Sequence, residues 1–389
     1  MPYSKTVTIG EVCKIIGGGT PSRTRSEFFG GNIPWATVKD FKFSVISKTK
    51  ESITDAAVAA SATNIVPPRT VLLVSRIGLG KVAIAGVALA INQDVKALTP
   101  REDVLPEYLY WFLLSKTDHF VRIGVGATVK GITLDDIKAV KMPLPSIHEQ
   151  QRIVDLLSRA EGIVHLRLEA QQKAAELIPT VFLEMFGDPR TNPKRLPIYA
   201  LEDLMLSPPT LGTMAKPSVN QAKWLDLRVA NIQGGSLTLD DRKWLDLSER
   251  EIERFQLVAG DVILARAIGS LDHLGKAVVV YPDSQWTFDS HLMRLRFDSL
   301  RLLSEWFVPY LSSVGGRAEF LKHTRQSAVQ FNINGKEIRK LQIPLPPLEA
   351  QKSFCARTEE IRSISTQQAA ATEKAEEVFQ SLLSAAFKS

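Results

Sequence analysis

The chain says much of what it says twice. Laid on itself, the 389-residue sequence matches residues 126–186 to residues 327–387 at a constant offset of 201 with no gap. Thirteen of these 61 positions are identical, among them Ala127/Ala328, Ile132/Ile333, Pro143/Pro344, Pro145/Pro346, Gln150/Gln351, Lys173/Lys374 and Phe186/Phe387. Upstream the match continues with gaps: VKDF (38–41) faces VANI (229–232), VLLVSRIG (71–78) faces VILARAIG (262–269), and Gly80-Lys81 faces Gly275-Lys276. A tandem duplication confines the fold to two similar halves. The break between them falls at GDPRTNPKRLP (187–197), whose prolines and glycine read as a linker.

Each half has two sections. Residues 1–145 and 198–346 hold short β-rich runs, glycine turns and occasional helices such as PEYLYWFLLSK, and read as mixed α/β domains. Residues 146–186 and 347–389 each read as one long helix. Between the two sections stands a Pro-Leu-Pro hinge, KMPLPSIHEQQR in the first half and QIPLPPLEAQKS in the second. Proline cannot donate to a ladder, so the hinge stops a strand. Ser146 three residues before Glu149 has the spacing of a capping box. In the second copy Pro347 suits the first helical position, and Glu349 favours the positive end of the helix.

Both helices carry a 3-4 heptad seam: Ala160, Ile163, Arg167, Ala170, Ala174, Leu177 and Val181 in the first, and Ile361, Ile364, Gln368, Ala371, Ala375, Val378 and Leu382 in the second. Arg167 and Gln368 form one polar layer, which fixes register, and the alanines permit close approach. About 40 residues of helix span roughly 60 Å. Pro179 is expected to interrupt and kink the first helix near its end. The favoured arrangement is an antiparallel coiled coil within the chain, with an internal pseudo-twofold. The rival is two helices each docked on a different partner chain.

Composition sets the class. With 44% apolar and 23% charged residues and a mean hydropathy of −0.01, the chain reads as a soluble globular protein. The most apolar stretch, residues 70–91, carries Arg76, Lys81 and several glycines, and reads as two buried strands around a loop. The N-terminus has no apolar core of a signal peptide, and two cysteines are too few for a disulfide framework or a Cys-built zinc site, so a reduced cytoplasmic location is expected. The net charge of +6 is unevenly placed: 18 basic against 12 acidic residues over 1–145, and 20 against 17 over 191–346. That excess is a mild pointer to a polyanion partner.

With two divergent globular parts, two copied helices and the motifs MPLPSIHEQQRI and IPLPPLEAQ, the chain resembles the specificity subunit of type I restriction-modification systems along essentially its whole length. GGGTPSR, IPWATVKDF and FGDP also look like recurrent segments of that family. The second half departs at SPPTLGTMAKPS, where a GGTPS-like loop is expected, and at Ala350, where the first copy has Glu149. The resemblance implies an α+β fold with two target-recognition domains, each reading one half of an asymmetric bipartite site in double-stranded DNA. It implies helices that set the spacing and dock two modification (methyltransferase) subunits, with restriction and translocase subunits joining that complex. S-adenosylmethionine and ATP would serve those partners, and no cofactor, metal or catalysis is expected in this chain. The alternative is a non-catalytic protein-binding scaffold without DNA sequence specificity.

Candidate DNA contacts are cationic and amide side chains in glycine-punctuated turns, since Arg can be bidentate to guanine and Gln or Asn to adenine. In the first half these are Thr20, Ser22, Arg23, Arg25, Lys39, Arg76, Lys81, Thr128 and Lys130. In the second they are Arg228, Arg266, His273, Lys276, Gln330 and Asn332. The six tryptophans read as core rather than as base-stacking platforms. GGGTPS lacks the Gly-Lys-Ser/Thr of a nucleotide-binding loop, the histidines form no metal-spaced pair, and Asp-Asp at 135–136 and 240–241 read as turn or cap residues.

Overall fold

A computed structural model of the chain describes residues 5–126, 129–218, 223–233, 235–326 and 331–388. It divides into two compact units, Met1–Leu168 with Ala370–Ser389, and Glu169–Ala369.

In the first unit the strand Val71–Val74 lies at the centre of a five-stranded sheet with Cys13–Gly17, Val95–Pro100, Val82–Ala85 and Val45–Ile46. A second sheet joins Glu51–Ile53, Phe29–Ala36, Leu89–Ile91 and Asn64–Val66. Side chains alternate faces along a strand. Val71 and Leu73 therefore enter the core beneath helix Pro106–Ser115, while Leu72 and Val74 enter the core shared with Leu89 and Ile91. Both faces are covered, which explains the unbroken apolar run in the sequence. The second unit repeats the plan. Val262–Ala265 lies between Leu292–Phe297 and Ala277–Val279, Met205–Leu211 completes that sheet, and Trp224–Leu227 pairs in parallel with Trp286–Phe288.

The hinge does the same work in each unit. Lys141–Pro143 pairs antiparallel with Thr6–Thr8, and Gln342–Pro344 pairs antiparallel with Ile198–Ala200. Long helices then run over Ile147–Phe186 and Leu348–Ala386. The repeated glutamines are buried latches. Gln150 Oε1 accepts from Leu105 N at 2.9 Å, and its Nε2 donates to the carbonyls of Asp103 (2.9 Å) and Pro145 (3.0 Å). Gln351 does the same with Leu303 N (2.9 Å), Arg301 O (2.9 Å) and Pro346 O (3.0 Å).

The repeated Phe186/Phe387 closes the other end. Phe387 packs on Tyr108 and Phe112 in the first unit, and Phe186 packs on Trp306 and Phe354 in the second. Each unit thus holds the start of one helix together with the end of the other, the antiparallel order.

Several details differ from expectation. Ser146 Oγ accepts from Glu149 N at 3.3 Å, but the Glu149 carboxylate turns to Arg152 (2.7 and 2.8 Å) instead of closing the box. Pro347 is the cap and not the first helical residue: its carbonyl accepts from Ala350 N and Gln351 N. The first helix continues through Pro179, which forfeits one backbone bond rather than interrupting the run.

The seam is half displaced. Ala174 is buried, and Ala160, Arg167, Val181, Ile361, Gln368, Ala371, Ala375 and Leu382 are half-buried. Ile163, Ala170, Leu177, Ile364 and Val378 are exposed, and the inward column lies one residue later, at Val164, Gln171 and Ile178 and at Ser365, Thr372 and Phe379. Small hydroxyl side chains conceal this column from a hydropathy pattern. Thr358, one heptad before Ser365, is fully buried because its hydroxyl donates to Cys355 O of its own helix at 2.9 Å.

Among the described residues no helix is long and apolar enough to cross a membrane. Five of the six tryptophans are buried, Trp244 being 36% exposed. Asp136 caps its helix by accepting from Thr133 N (2.8 Å), and Asp241 pairs with Arg228.

Candidate nucleic-acid interface

In each unit a parallel strand pair ends beside a glycine loop, and one set of backbone bonds builds the site. In the first unit Asn92 N donates to Ala36 O (3.1 Å), Ser75 N to Asp94 O (2.8 Å), Gly19 N to Ile91 O (3.1 Å) and Ile132 N to Ser75 O (3.0 Å). In the second, Asp289 N donates to Leu227 O (2.9 Å), Arg266 N to His291 O (2.9 Å), Thr213 N to Phe288 O (2.9 Å) and Ile333 N to Arg266 O (2.9 Å). These bonds set Trp35 opposite Asp226, Lys39 opposite Ala230, and Asp94 opposite His291. They also set Gly18 opposite Gly212. A Cβ on Gly18 would lie 2.1 Å from Ile91 O, and one on Gly212 would lie 2.2 Å from Asp289 O. Gly19 is confined as well, a Cβ there lying 2.5 Å from Ala62 C, but the second unit has Thr213 in its place. The glycine that both loops share is at 18 and 212, and GGGT and LGTM follow the same path despite the departure in sequence.

The first cleft, of about 490 Å³, gathers Thr20, Arg23, Lys39 and Lys81 from the expected set. Arg23 is bidentate to Glu51 (2.7 and 2.9 Å) and lies over the Trp35 ring at 5.1 Å. Its guanidinium holds the Glu51 carboxyl below the usual range. The Thr20 hydroxyl meets Gln93 Oε1. Four expected residues are not brought in. Ser22 bonds Thr24 (2.8 Å), Arg25 pairs with Glu27 (2.7 Å), Arg76 Nε stands 3.8 Å from Asp94 Oδ1, and Lys130 is exposed. Thr128 lies outside the described residues.

The second cleft, of about 340 Å³, takes only Arg228 from the expected set, together with Ile268, Asp289 and His291. Arg228 donates to Asp241 Oδ2 at 2.6 Å, and His291 Nδ1 lies 2.9 Å from Asp289 Oδ2. Arg266 is turned away, its Nε donating to Ser290 O (2.9 Å). His273 ends an exposed 3-10 turn, Lys276 is half-exposed, and Asn332 pairs in a strand with Ala267. Gln330 lies outside the described residues. Near Asp289 and Arg228, which line this cleft, Asp226 is 5% exposed. Burial first, then the nearby Asp289, pushes its carboxyl up to about 7, with Arg228 opposing.

Sequence reasoning missed Trp35, Asp94, Asp226, Asp289 and His291. INQD (91–94) and FDSH (288–291) occupy one backbone position yet share no residue, so only the strand register reveals their equivalence. Among the described residues no group of three or more His, Cys, Asp or Glu is placed to hold a metal ion.

Comparison with known proteins adds a likeness. Residues 3–177 match the model of the type I restriction modification DNA specificity domain. The specificity subunit of the type I restriction enzyme MjaIX of Methanocaldococcus jannaschii is 35% identical over 183 residues, covering 46% of this chain and 41% of that protein. The EcoR124I/EcoR124II specificity subunit of Escherichia coli is 34% identical over 177 residues, 44% of each chain. The chain thus spans less than half the length of these two curated relatives. A solved structure described by complex assembly and conformational transition of the type I R-M system shares the fold over 100% of this chain and 98% of its own, with a TM-score of 0.66 and 20% identity. Over residues 3–177, and in the relatives aligned with it, the chain is thus similar to the specificity subunits of type I restriction-modification systems.

Proposed function

We propose that this chain is the DNA-specificity subunit of a type I restriction-modification complex. Each globular part reads one half of an asymmetric bipartite site in double-stranded DNA. The observation that carries the reading is one cleft built twice on the same backbone bonds with different side chains around it. Phosphate contacts position a protein on DNA and base-edge contacts specify the sequence. A duplicated frame with diverged linings suits two different half-sites.

The long helices set the spacing and dock two modification subunits, through which restriction and translocase subunits join. The exposed apolar column supports docking. In the first unit Ile163 and Val378 line a groove of about 370 Å³, and in the second Leu177 and Ile364 are 46% and 54% exposed. The chain itself is non-catalytic and needs no cofactor. S-adenosylmethionine and ATP belong to its partners, and the complex works in the cytoplasm.

The test is to co-express the chain with its modification subunit and map adenine methylation across a genome by single-molecule sequencing. A bipartite motif with a fixed gap, lost when the chain is omitted, is expected. Inserting four residues near Leu168 should change the gap and spare both half-sequences. Methylation indifferent to the chain, despite a stable complex, would favour a scaffold. So would binding that barely responds to salt, since about 6–10 phosphate contacts lose roughly 10³–10⁵ in affinity between 50 and 200 mM.

A further inference from the structure

We propose that the duplicated cleft is the nucleobase-reading pocket of each unit, and that in the first unit Trp35 and Asp94 together read an adenine. The inference rests on the DNA-reading function above and names the residues that carry it. Trp35 and Asp94 both line the cleft and are 1% and 5% exposed. Even so, Trp35 Nε1 and Asp94 Oδ1 are buried without a hydrogen-bond partner. The nearest cation to Asp94 Oδ1, Arg76 Nε, stands at 3.8 Å, beyond bonding distance. Buried polar groups are normally paired, and an orphan in a native fold calls for an explanation.

The two orphans are complementary: the indole N–H can only donate, and the carboxylate oxygen accepts. The carboxylate is also held in place, because Asn92 Nδ2 and Gln93 Nε2 each donate to its other oxygen at 3.3 Å. The ligand edge that satisfies both carries an acceptor beside a donor. In the major groove adenine offers N7 beside its N6 amino group. Guanine offers two acceptors, cytosine only a donor, and thymine an acceptor beside a methyl. Exposed Lys39 and Lys81, which also line the cleft, are free to take the flanking phosphates.

The second unit puts Asp226 where the first has Trp35, and Asp226 Oδ1 is again a buried orphan. At the same place in the frame a carboxyl replaces an indole donor, and the position opposite carries His291 instead of Asp94. The second unit is therefore not built for the same edge, and the two half-sites differ at this place.

Once the motif is mapped, the assembled complex of chain and modification subunits is titrated onto duplexes. Each adenine of the two half-sites is replaced in turn by 7-deazaadenine, which lacks N7, or by purine, which lacks the amino group. One adenine is expected at which each change weakens binding about tenfold. Trp35→Phe should abolish the 7-deaza effect there, and Asp94→Ala the amino effect, with the other half-site unchanged. If no adenine responds to both analogues, or if both variants respond as the unaltered complex does, the assignment is wrong. The analogue series on the unaltered complex decides the first point even where a variant does not assemble. Binding without any sequence preference would instead overturn the DNA-specificity reading itself.

Discussion

In the first unit Thr70 and Thr99 stand where the second unit has Asp261 and Arg296. The frame is shared: Leu98 pairs with Val71 as Leu295 pairs with Val262, and the carbonyls of Thr70 and Asp261 each accept a backbone bond at 2.9 Å. The fittings differ for a local reason. Pro67 has no N–H, so the Thr70 hydroxyl simply donates to Pro67 O (2.8 Å). Val258, at the matching place, has an N–H, and Asp261 Oδ2 accepts it at 2.9 Å. That carboxylate, 1% exposed, is then neutralised by bidentate Arg296 at 2.7 and 2.8 Å. One missing donor in a turn thus decides whether a unit needs a buried ion pair. Backbone bonds and apolar alternation hold the frame, and polar positions diverge in small, self-consistent sets.

The largest effect should come from breaking such a set. Asp261→Ala leaves Arg296 and the Val258 amide without partners and should cost the second unit about 3–5 kcal/mol. Hydrogen exchange across Val262–Ala265 would report it, with Val71–Val74 of the first unit as internal control. Replacing both partners, Asp261→Thr with Arg296→Thr, should recover only part of the loss, and adding Val258→Pro should recover most of the remainder. Full recovery by the double variant alone would show that the turn does not dictate the pair.

The next effect depends on pH. The carboxyl of Asp226, held up at about 7 chiefly by burial, binds its proton more tightly folded than unfolded, where the ordinary value is 3.8. Stability of the second unit should therefore fall as pH rises from about 4 to 7, with the cost of the buried charge fully present above that. Asp226→Asn should stabilise the unit by up to about 4 kcal/mol at pH 8 and by almost nothing near pH 4. The first unit has Trp35 in that place and so lacks this contribution, and Trp35→Phe should leave its pH dependence unchanged. Thermal unfolding at several pH values checks both, and a gain from Asp226→Asn that is flat with pH would refute the assignment.

How much of this was legible in the sequence follows from the range of each interaction. The strand runs at 71–74 and 262–265 and the hinge-to-helix transition are local patterns, and they stand where the sequence places them. The helix seam was legible to one residue: the column through Ala174 and Ala375 faces inward, but buried Thr372 reads as polar and exposed Val378 as core. The clefts were legible only in part: Thr20, Arg23, Lys39 and Lys81 do line the first and Arg228 the second, but the buried polar residues did not show. Trp35 and Asp94 lie 59 positions apart and come to line one cleft only through the fold, and the arginines that a composition argument selects, such as Arg23 and Arg25, are already held by neighbouring carboxylates.

The smallest effect tests the claim that the units are equivalent at their helix starts. Gln150→Ala removes the acceptor of the Leu105 amide and the donor to two carbonyls, and should cost about 1–3 kcal/mol. Gln351→Ala should cost the second unit the same within about 1 kcal/mol, because its three bonds match those of Gln150 to within 0.1 Å. Gln150→Glu separates bonding from packing. Glutamate fills the same space but, when ionised, only accepts. It can still take the Leu105 amide, yet it turns an anionic oxygen toward the carbonyls of Asp103 and Pro145. Near neutral pH the glutamate variant should therefore be at least as destabilised as the alanine one, and should improve as pH falls and the carboxyl gains a proton to donate. If glutamate is tolerated as well as glutamine at pH 7, the latch works by shape alone, and its repetition in both units says nothing about these three bonds.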